Sequence, residues 1–141
     1  MASFNFDNLP RTLVKADADF DTITLKVLLV TAAPNRVTMV NRSDLTGELA
    51  AGGGYTTGGI AQAFSLPALD TTNHRQAITL ADIVAGWTGA TFTGVVGAVI
   101  YKNSGSAATD TLLSYVEFST VTQPTAGTFG ITYAAPIYFN A

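Results

Sequence analysis

The chain has 141 residues, of which 48% are apolar and only 12% are charged, and its net charge is −3. This acidic balance argues against a nucleic-acid partner, because phosphate binding depends on clustered Lys and Arg, and the seven basic residues are scattered along the sequence. The absence of Cys excludes disulfides and thiolate metal sites, and the length predicts one domain with a sizeable core.

The weakly charged composition indicates how the surface is used. Charged residues make up about half of the usual fraction of roughly a quarter, so Thr, Ser, Asn and Gly must cover much of the exterior. Such a surface suits packing against protein neighbours, since fewer ions have to be desolvated at each contact. Residues 1–7 lack the basic and apolar regions of a signal peptide, and the longest apolar stretch, 95–101, is too short to cross a bilayer. We therefore expect assembly in the cytoplasm and no membrane partner.

The first twenty residues are predicted to form an arm and a short helix. Residues 1–8 are polar and aromatic by turns, which is typical of an arm. A helix is predicted to follow and to reach Ala16, with Asn8 or Leu9 near its cap and Pro10 in its first turn. This divides the chain into an N-terminal segment, 1–20, and a single β domain, 21–141.

The clearest strand is predicted from Asp21 to Thr31, where apolar residues recur with a period of two. One face carries Ile23, Leu25, Val27 and Leu29, and the other carries Thr22, Thr24 and Lys26. Pro34 and Asn35 then end the pattern.

The rest of the chain is predicted to be loops and short strands. Residues 41–47 favour a turn or a single helical turn capped by Ser43 or Asp44, and residues 52–59 form a glycine-rich loop. Further strands are predicted at 60–66, 76–80, 87–93, 95–102, 112–119, 127–133 and 137–140. Pro136 indicates that the last of them is an edge strand, because proline cannot donate to the ladder. The sequence thus predicts an all-β fold with one short N-terminal helix, arranged as an antiparallel β-sandwich or barrel.

Three sequence patterns resemble a catalytic or ligand-binding site, but each lacks residues that such a site requires. His74 has a carboxylate nearby at Asp70, but no G-x-S-x-G nucleophile motif accompanies it, so we interpret it as a solvated loop histidine. The alternating acids Asp17, Asp19 and Asp21 resemble the start of a calcium loop. That loop requires glycine and glutamate where this chain has Thr22 and Leu28. The loop at 52–59 lacks the lysine and the following helix of a phosphate-binding loop. We expect no catalytic residue, no cofactor and no metal, and hence no enzyme.

Four blocks of the sequence resemble a family of small structural proteins of tailed-bacteriophage virions. The blocks are, in order, the strand 21–31; the loop Gly54-Tyr55-Thr56-Thr57-Gly58-Gly59 preceded by Leu45-Thr46-Gly47-Glu48-Leu49; Trp87 followed by Ala98-Val99-Ile100-Tyr101; and the strand 112–118. Their order and spacing are matched across most of residues 7–140, although residues 74–87 are less acidic than the family's usual strand.

The resemblance implies a capsid decoration, or cement, protein on the head of a virion. Its partners would be the major capsid protein and other copies of itself, and it would stabilise the shell. A head–tail connector or another tail component is the alternative within the same class. A carbohydrate-binding or adhesin module, with Tyr55 and other aromatic residues as the platform, is the alternative of another class.

Candidate intersubunit contacts lie near the two ends of the sequence and in the glycine-rich loop. Aromatic and aliphatic residues in those places need cover, because exposed apolar segments are unfavourable in water. The candidates are Phe4, Phe6, Tyr55, Ile137, Tyr138 and Phe139.

Overall fold

A computed structural model describes residues 3–14, 19–122 and 124–140 of the chain. Its helices are α1 (Leu9–Val14) and a 3-10 helix (Arg42–Asp44). Its strands are β1 (Phe4–Asn5), β2 (Thr24–Val30), β3 (Ile60–Gln62), β4 (Phe64–Ser65), β5 (Arg75–Leu80), β6 (Ile83–Ala90), β7 (Val95–Asn103), β8 (Leu112–Thr122), β9 (Gly127–Ile131) and β10 (Ile137–Asn140). The strand pairs are antiparallel, so the predicted all-β class with one short N-terminal helix is confirmed. Within the described ranges, no helix has the length and apolarity needed to cross a membrane.

The largest sheet has five strands in the order β1-β8-β7-β2-β3. β2 lies inside this sheet, and Val27, Leu28 and Leu29 are fully buried. The sequence predicted one apolar face for this strand, but Leu28 and Val30 on its other face are buried as well. A run of four apolar residues is what a strand covered on both faces requires.

One face of the five-stranded sheet packs against two smaller sheets, β10-β5-β4 and β6-β9. The apolar cluster between them joins Val27 of the large sheet, Ile78 of β5, and Trp87 and Ile131 of the third sheet. This cluster is the main core of the protein.

The opposite face of the five-stranded sheet carries a second apolar cluster, which includes Leu28, Val99 and Tyr115. The segment 31–49 crosses this face, and its Met39 and Leu45 pack against the cluster. The segment is attached at its middle, where the amide of Leu112 donates to the carbonyl of Val40 over 2.9 Å.

The described part of the N-terminal segment, residues 3–14, packs against the β domain. Phe4 pairs with Tyr115 across β1 and β8, and Phe6 is 1% exposed within the second cluster. Leu9, at the start of α1, is buried in the main core. The division of the chain after residue 20 stays a prediction.

Pro10 lies in the first turn of α1, as the sequence predicts. The amide of Thr12 donates to the carbonyl of Asn8 over 2.9 Å. The Oδ1 atom of Asn8 is buried and has no hydrogen-bond partner. The predicted end of the helix at Ala16 lies outside the described residues.

The helical turn predicted within residues 41–47 is confirmed as the 3-10 helix, but neither Ser43 nor Asp44 is its N-cap. Asn41 occupies that position. Asp44 lies three residues later and turns back, so that its Oδ2 atom accepts from the amides of Val40 and Asn41 at 2.9 and 2.8 Å. The carboxylate thus satisfies amides that the helix leaves unpaired.

Most strand bounds differ from the prediction by a few residues, and two strands differ more. The single strand expected at 60–66 is divided between two sheets, because the chain crosses over at Ala63. The Nε2 atom of buried Gln62 donates to the carbonyls of Ala63 and Ala81 at 2.8 Å each, which satisfies backbone groups at the crossing. The strand expected at 87–93 runs instead from Ile83 to Ala90. β10 pairs only with β5, so its prediction as an edge strand after Pro136 is confirmed.

Candidate functional site

The six candidate contact residues fall into two groups of three. Phe6, Tyr55 and Ile137 are 1%, 3% and 6% exposed, so their side chains lie inside the subunit. Phe4, Tyr138 and Phe139 are partly exposed. Only the second group has surface to offer to a neighbouring molecule in this fold.

The side chains of Phe6 and Phe4 pack against other residues of the same subunit. The sequence did not indicate these contacts. Because β1 extends the five-stranded sheet, its side chains meet those of β8 and the segment 31–49. The Phe4 ring lies 5.4 Å from that of Phe6 and 5.1 Å from that of Tyr115, and the Arg36 guanidinium lies 5.5 Å from it. Phe4 therefore keeps only part of its ring for other contacts.

The partly exposed aromatic residues of β10 are fixed by different neighbours on its two sides. The Arg75 guanidinium lies 3.8 Å from the centre of the Tyr138 ring, an attractive cation–π geometry. The Phe139 ring lies 5.9 Å from that of Phe20. Arg75 is itself paired with Asp70 over 3.1 Å, so its charge is compensated.

A groove of about 470 Å³ lies between β1 and β10, the edge strands of two different sheets. Its walls include Phe4 of β1, Tyr138 of β10 and Tyr115 of β8. The Tyr115 hydroxyl is buried and has no hydrogen-bond partner. Phe4 and Tyr138 thus line one concave surface.

A polar network lies beneath the glycine-rich loop. One carboxylate oxygen of Glu48 accepts from the Tyr55 hydroxyl at 2.9 Å and from the amide of Gly58 at 2.5 Å. The Tyr101 hydroxyl donates to the carbonyl of Gly58 over 2.6 Å. The Tyr55 hydroxyl also accepts from the amide of Leu29 at 3.4 Å. The network therefore holds the loop against β2.

An ion pair continues this network toward the turn at 103–110. The Nε atom of Arg42 donates to Asp110 over 2.8 Å, and Asp110 is 1% exposed. The second oxygen of Asp110 accepts from the amide and the hydroxyl of Ser104 at 2.7 and 2.9 Å. The Arg42 guanidinium lies 5.5 Å from the Tyr101 ring. Each charge is thus matched by a partner, as buried charges require.

The protonation states in the network follow from these contacts. Burial acts to raise the pKa of Asp110, but the hydrogen bonds from Ser104 and Arg42 outweigh it, so the pKa lies below its usual value. Burial raises the pKa of Tyr101 to about 12, and burial together with the Glu48 charge raises the pKa of Tyr55. At neutral pH the carboxylate is ionised and both phenols are neutral. These groups stabilise the fold and are not poised to exchange protons near neutrality.

Close packing requires glycine at two positions of this loop, Gly54 and Gly59. Gly59 has a φ of +70°, and a Cβ atom there would lie 1.8 Å from the carbonyl oxygen of Val27. Gly54 has a φ of +88°, and its Cβ would lie 2.9 Å from the carbonyl oxygen of Thr88. The interpretation of residues 52–59 as a tight reversal is consistent with this geometry.

The sequence blocks of the resemblance meet at this network. Tyr55 of the second block packs on Trp87 of the third with ring centres 6.4 Å apart, and Tyr101 of the third block donates to the loop. The amide of Leu29, in the first block, donates to the Tyr55 hydroxyl. The fourth block forms most of β8, which pairs with β7. Residues that are distant in the sequence are therefore neighbours in the fold.

Tyr55 is excluded as a platform for a sugar. Its ring is covered by Trp87 and Phe92, and 3% of the residue is exposed. Stacking on a sugar needs an open aromatic face, so the adhesin hypothesis loses the residue on which it was placed.

The candidate His74–Asp70 pair is not assembled. Asp70 accepts instead from Asn73, at 3.1 Å from its amide and 2.8 Å from its side chain, and it pairs with Arg75. His74 is exposed, with a φ of +51° at the tip of the hairpin. This arrangement fixes a turn.

The calcium-like acids can be followed only in part. Asp17 lies outside the described residues, and Asp19 Oδ1 accepts from the amide of Asp21 over 3.1 Å in an exposed turn. Among residues 3–14, 19–122 and 124–140, no group of three or more His, Asp or Glu side chains is placed to hold a metal ion.

No protein-family model, no curated protein sequence and no solved structure matches this chain.

Sequence reasoning did not single out Glu48, Arg42 or Asp110, which organise the polar network. The sequence contains only weak indications that these residues are important. Glu48 is one of few charged residues within the matched blocks, and Asp110 follows a Ser- and Gly-rich turn. Neither observation indicates a partner 68 residues away, as Arg42 is from Asp110.

Proposed function

We propose that this protein is a non-enzymatic structural subunit of a tailed-bacteriophage virion, and specifically a capsid decoration protein. It binds the major capsid protein and neighbouring copies of itself on the head surface and stabilises the shell. Its position on the head, rather than at a connector or in the tail, is part of the proposal.

The observation that carries the proposal is the convergence of the four sequence blocks. In the fold, Glu48 and Tyr55 of the second block share one hydrogen-bonded network with Leu29 of the first block and Tyr101 of the third. Trp87, also of the third block, packs against Tyr55. The matched residues thus form one structural unit, which supports a common ancestry with the family that they resemble.

The surface composition supports the same proposal. Leu69 is 61% exposed, Leu66 is 41% exposed, and Phe4 and Tyr138 line an open groove. Apolar groups on a weakly charged surface favour protein contacts, because they add buried area with little desolvation of ions. On a shell, many modest contacts of this kind add up through avidity.

Reconstitution on particles tests the proposed function. Heads would be prepared from phage in which the gene is deleted, mixed with purified protein, and sedimented. We expect saturable binding and a higher temperature for release of the genome. Heads that already carry the protein are the matched control and should bind little more. Failure to co-sediment with the deleted heads would overturn the proposal, as would absence of the protein from wild-type virions by mass spectrometry.

A further inference from the structure

An apolar face lies beside β10, away from the polar network. It consists of Phe20, Leu66, Pro67, Leu69 and Phe139, and we refer to it as the 66–69 face. Leu66 is 41% exposed and Leu69 is 61% exposed. Exposed aliphatic residues that are close together mark interaction sites more often than isolated ones do.

Two adjoining grooves open on this face. The first, of about 380 Å³, is lined by Phe20, Leu66 and Pro67, and the second, of about 440 Å³, is lined by Leu69 and Arg75. Gln76 and Phe139 line both. The two grooves are therefore parts of one concave surface that can receive neighbouring apolar side chains of a partner.

The loop that carries the two leucines is held in place by the rest of the fold. The Nε2 atom of Gln76 donates to the carbonyl of Pro67 over 2.9 Å. Asp70 and Arg75 close the hairpin with two backbone hydrogen bonds of 3.0 Å each and with their ion pair. A face that is already ordered loses little entropy on binding, which favours a docking role.

Charged residues adjoin the face at two places, next to Phe20 and in the larger groove. Asp19 and Asp21 are exposed on either side of Phe20 in the sequence. Arg75, the cation lining the larger groove, is compensated by Asp70 and stacks on Tyr138. A partner with Lys or Arg beside an apolar side chain is complementary to this arrangement, whereas the phosphates of nucleic acid would be repelled.

We propose that the 66–69 face is a docking site for a protein segment that carries an aliphatic side chain flanked by basic residues. This inference rests on the proposed function and names the surface that binds the capsid. The aliphatic side chain fills the grooves beside Phe139, and the basic residues face Asp19 and Asp21.

Two synthetic peptides that differ only in charge test the recognition without a particle. One carries two leucines flanked by lysines, and the other has glutamates in place of the lysines. The methyl signals of Leu66 and Leu69 would be followed by NMR during titration into the full chain, with those of Val84 as the control. We expect shifts at the two leucines with the lysine peptide and at least tenfold weaker binding of the glutamate peptide. No shift at these leucines, or equal binding of the two peptides, would overturn the proposal.

Charge reversal provides the reciprocal measurement. In a D19K/D21K variant, binding of the lysine peptide should fall at least tenfold and the preference between the two peptides should reverse. A preference unchanged from that of the wild-type chain would contradict the assigned role of these carboxylates.

Particle binding then separates this inference from the proposed function. Leu69→Glu should reduce occupancy of the deleted heads at least tenfold, while Val84→Glu, on a still more exposed residue of β6, should leave it unchanged. Normal occupancy by Leu69→Glu would overturn the docking site and leave the proposed function standing. If the wild-type chain itself fails to bind heads, the proposed function fails, and the peptide titrations alone decide the recognition chemistry.

Discussion

Beneath residues 52–59, the polar side chains are paired with one another, whereas at the 66–69 face the apolar side chains end in open grooves. Glu48, Asp110 and Arg42 direct their hydrogen bonds to groups of the same chain. Leu66 and Leu69 expose much of their surface, although the loop that carries them is fixed. The comparison indicates that the polar network stabilises the subunit, whereas the 66–69 face has apolar surface free for contact with other molecules.

The largest effect is expected where the glycine-rich loop touches β2. Gly59→Ala should lower the free energy of unfolding by at least about 4 kcal/mol or prevent folding, because the new Cβ atom would overlap the Val27 carbonyl. Gly105→Ala is the matched control, since Gly105 also has a positive φ, +89°, but open space around it. It should cost only about 1–2 kcal/mol. Equal losses in urea unfolding would show that the loop does not depend on this close contact.

The next effect is expected at the ion pair. Asp110→Asn leaves the Arg42 charge without its main partner at a site where Asp110 is 1% exposed, and should cost about 3 kcal/mol in chemical denaturation. Asp7→Asn removes a partner of similar length, 2.7 Å, from exposed Arg36 and should cost less than about 0.5 kcal/mol. Similar losses for both would mean that burial does not distinguish the two pairs.

At acidic pH, wild type and Asp110→Asn should have the same stability. Because the pKa of Asp110 is lower in the folded state, the unfolded state binds more protons as the pH falls below the usual aspartate value near 4. The contribution of Asp110 is therefore fully present above that pH and is lost as the pH falls through the folded pKa. The melting temperatures of wild type and Asp110→Asn, measured from pH 7 to pH 2, should converge below pH 4. A difference that stays constant would contradict the lowered pKa of Asp110.

At alkaline pH, the raised pKa of Tyr101 should lower the stability of the wild type. Its pKa is raised to about 12 in the fold, so between about pH 10 and pH 12 the unfolded state loses a proton that the folded state keeps. The stability of the wild type should fall in this window relative to Tyr101→Phe, which lacks the ionisable group. Urea unfolding at pH 8 and pH 11 measures the difference in the free energy of unfolding between wild type and Tyr101→Phe. A difference that does not narrow at pH 11 would exclude a buried, neutral phenol.

The smallest effect is expected at the 66–69 face. Leu69→Ala should change the free energy of unfolding by no more than about 0.5 kcal/mol, since the residue is 61% exposed. The same substitution at fully buried Leu29 should cost about 2–5 kcal/mol. A large loss at Leu69 would mean that this face contributes to the fold and is not reserved for a partner.

Local pattern was enough to predict much of the fold. The period of two located β2, and Pro136 identified β10 as an edge strand. The same pattern could not show that Phe6 is buried, because its cover comes from β8, more than a hundred residues away. The split between β3 and β4 depends on the Gln62 side chain bonding Ala81, which is likewise not local.

The candidate site was less predictable for the same reason. Aromatic content near the two ends of the sequence drew attention to Phe4, Tyr138 and Phe139, and these residues do line grooves. Composition could not separate them from Phe6, Tyr55 and Ile137, which have similar side chains in similar sequence surroundings. Contacts between residues distant in the sequence decide which aromatic rings face water, as Trp87 and Phe92 do for Tyr55.

Cryo-electron microscopy of the virion tests the central claim most directly. We expect density for this fold on the outer surface of the head, with Leu66 and Leu69 against the major capsid protein and the network around Asp110 away from the contact. Density with the 66–69 face directed to solvent would contradict the docking site. A virion in which these copies are absent from the head would contradict the proposed function.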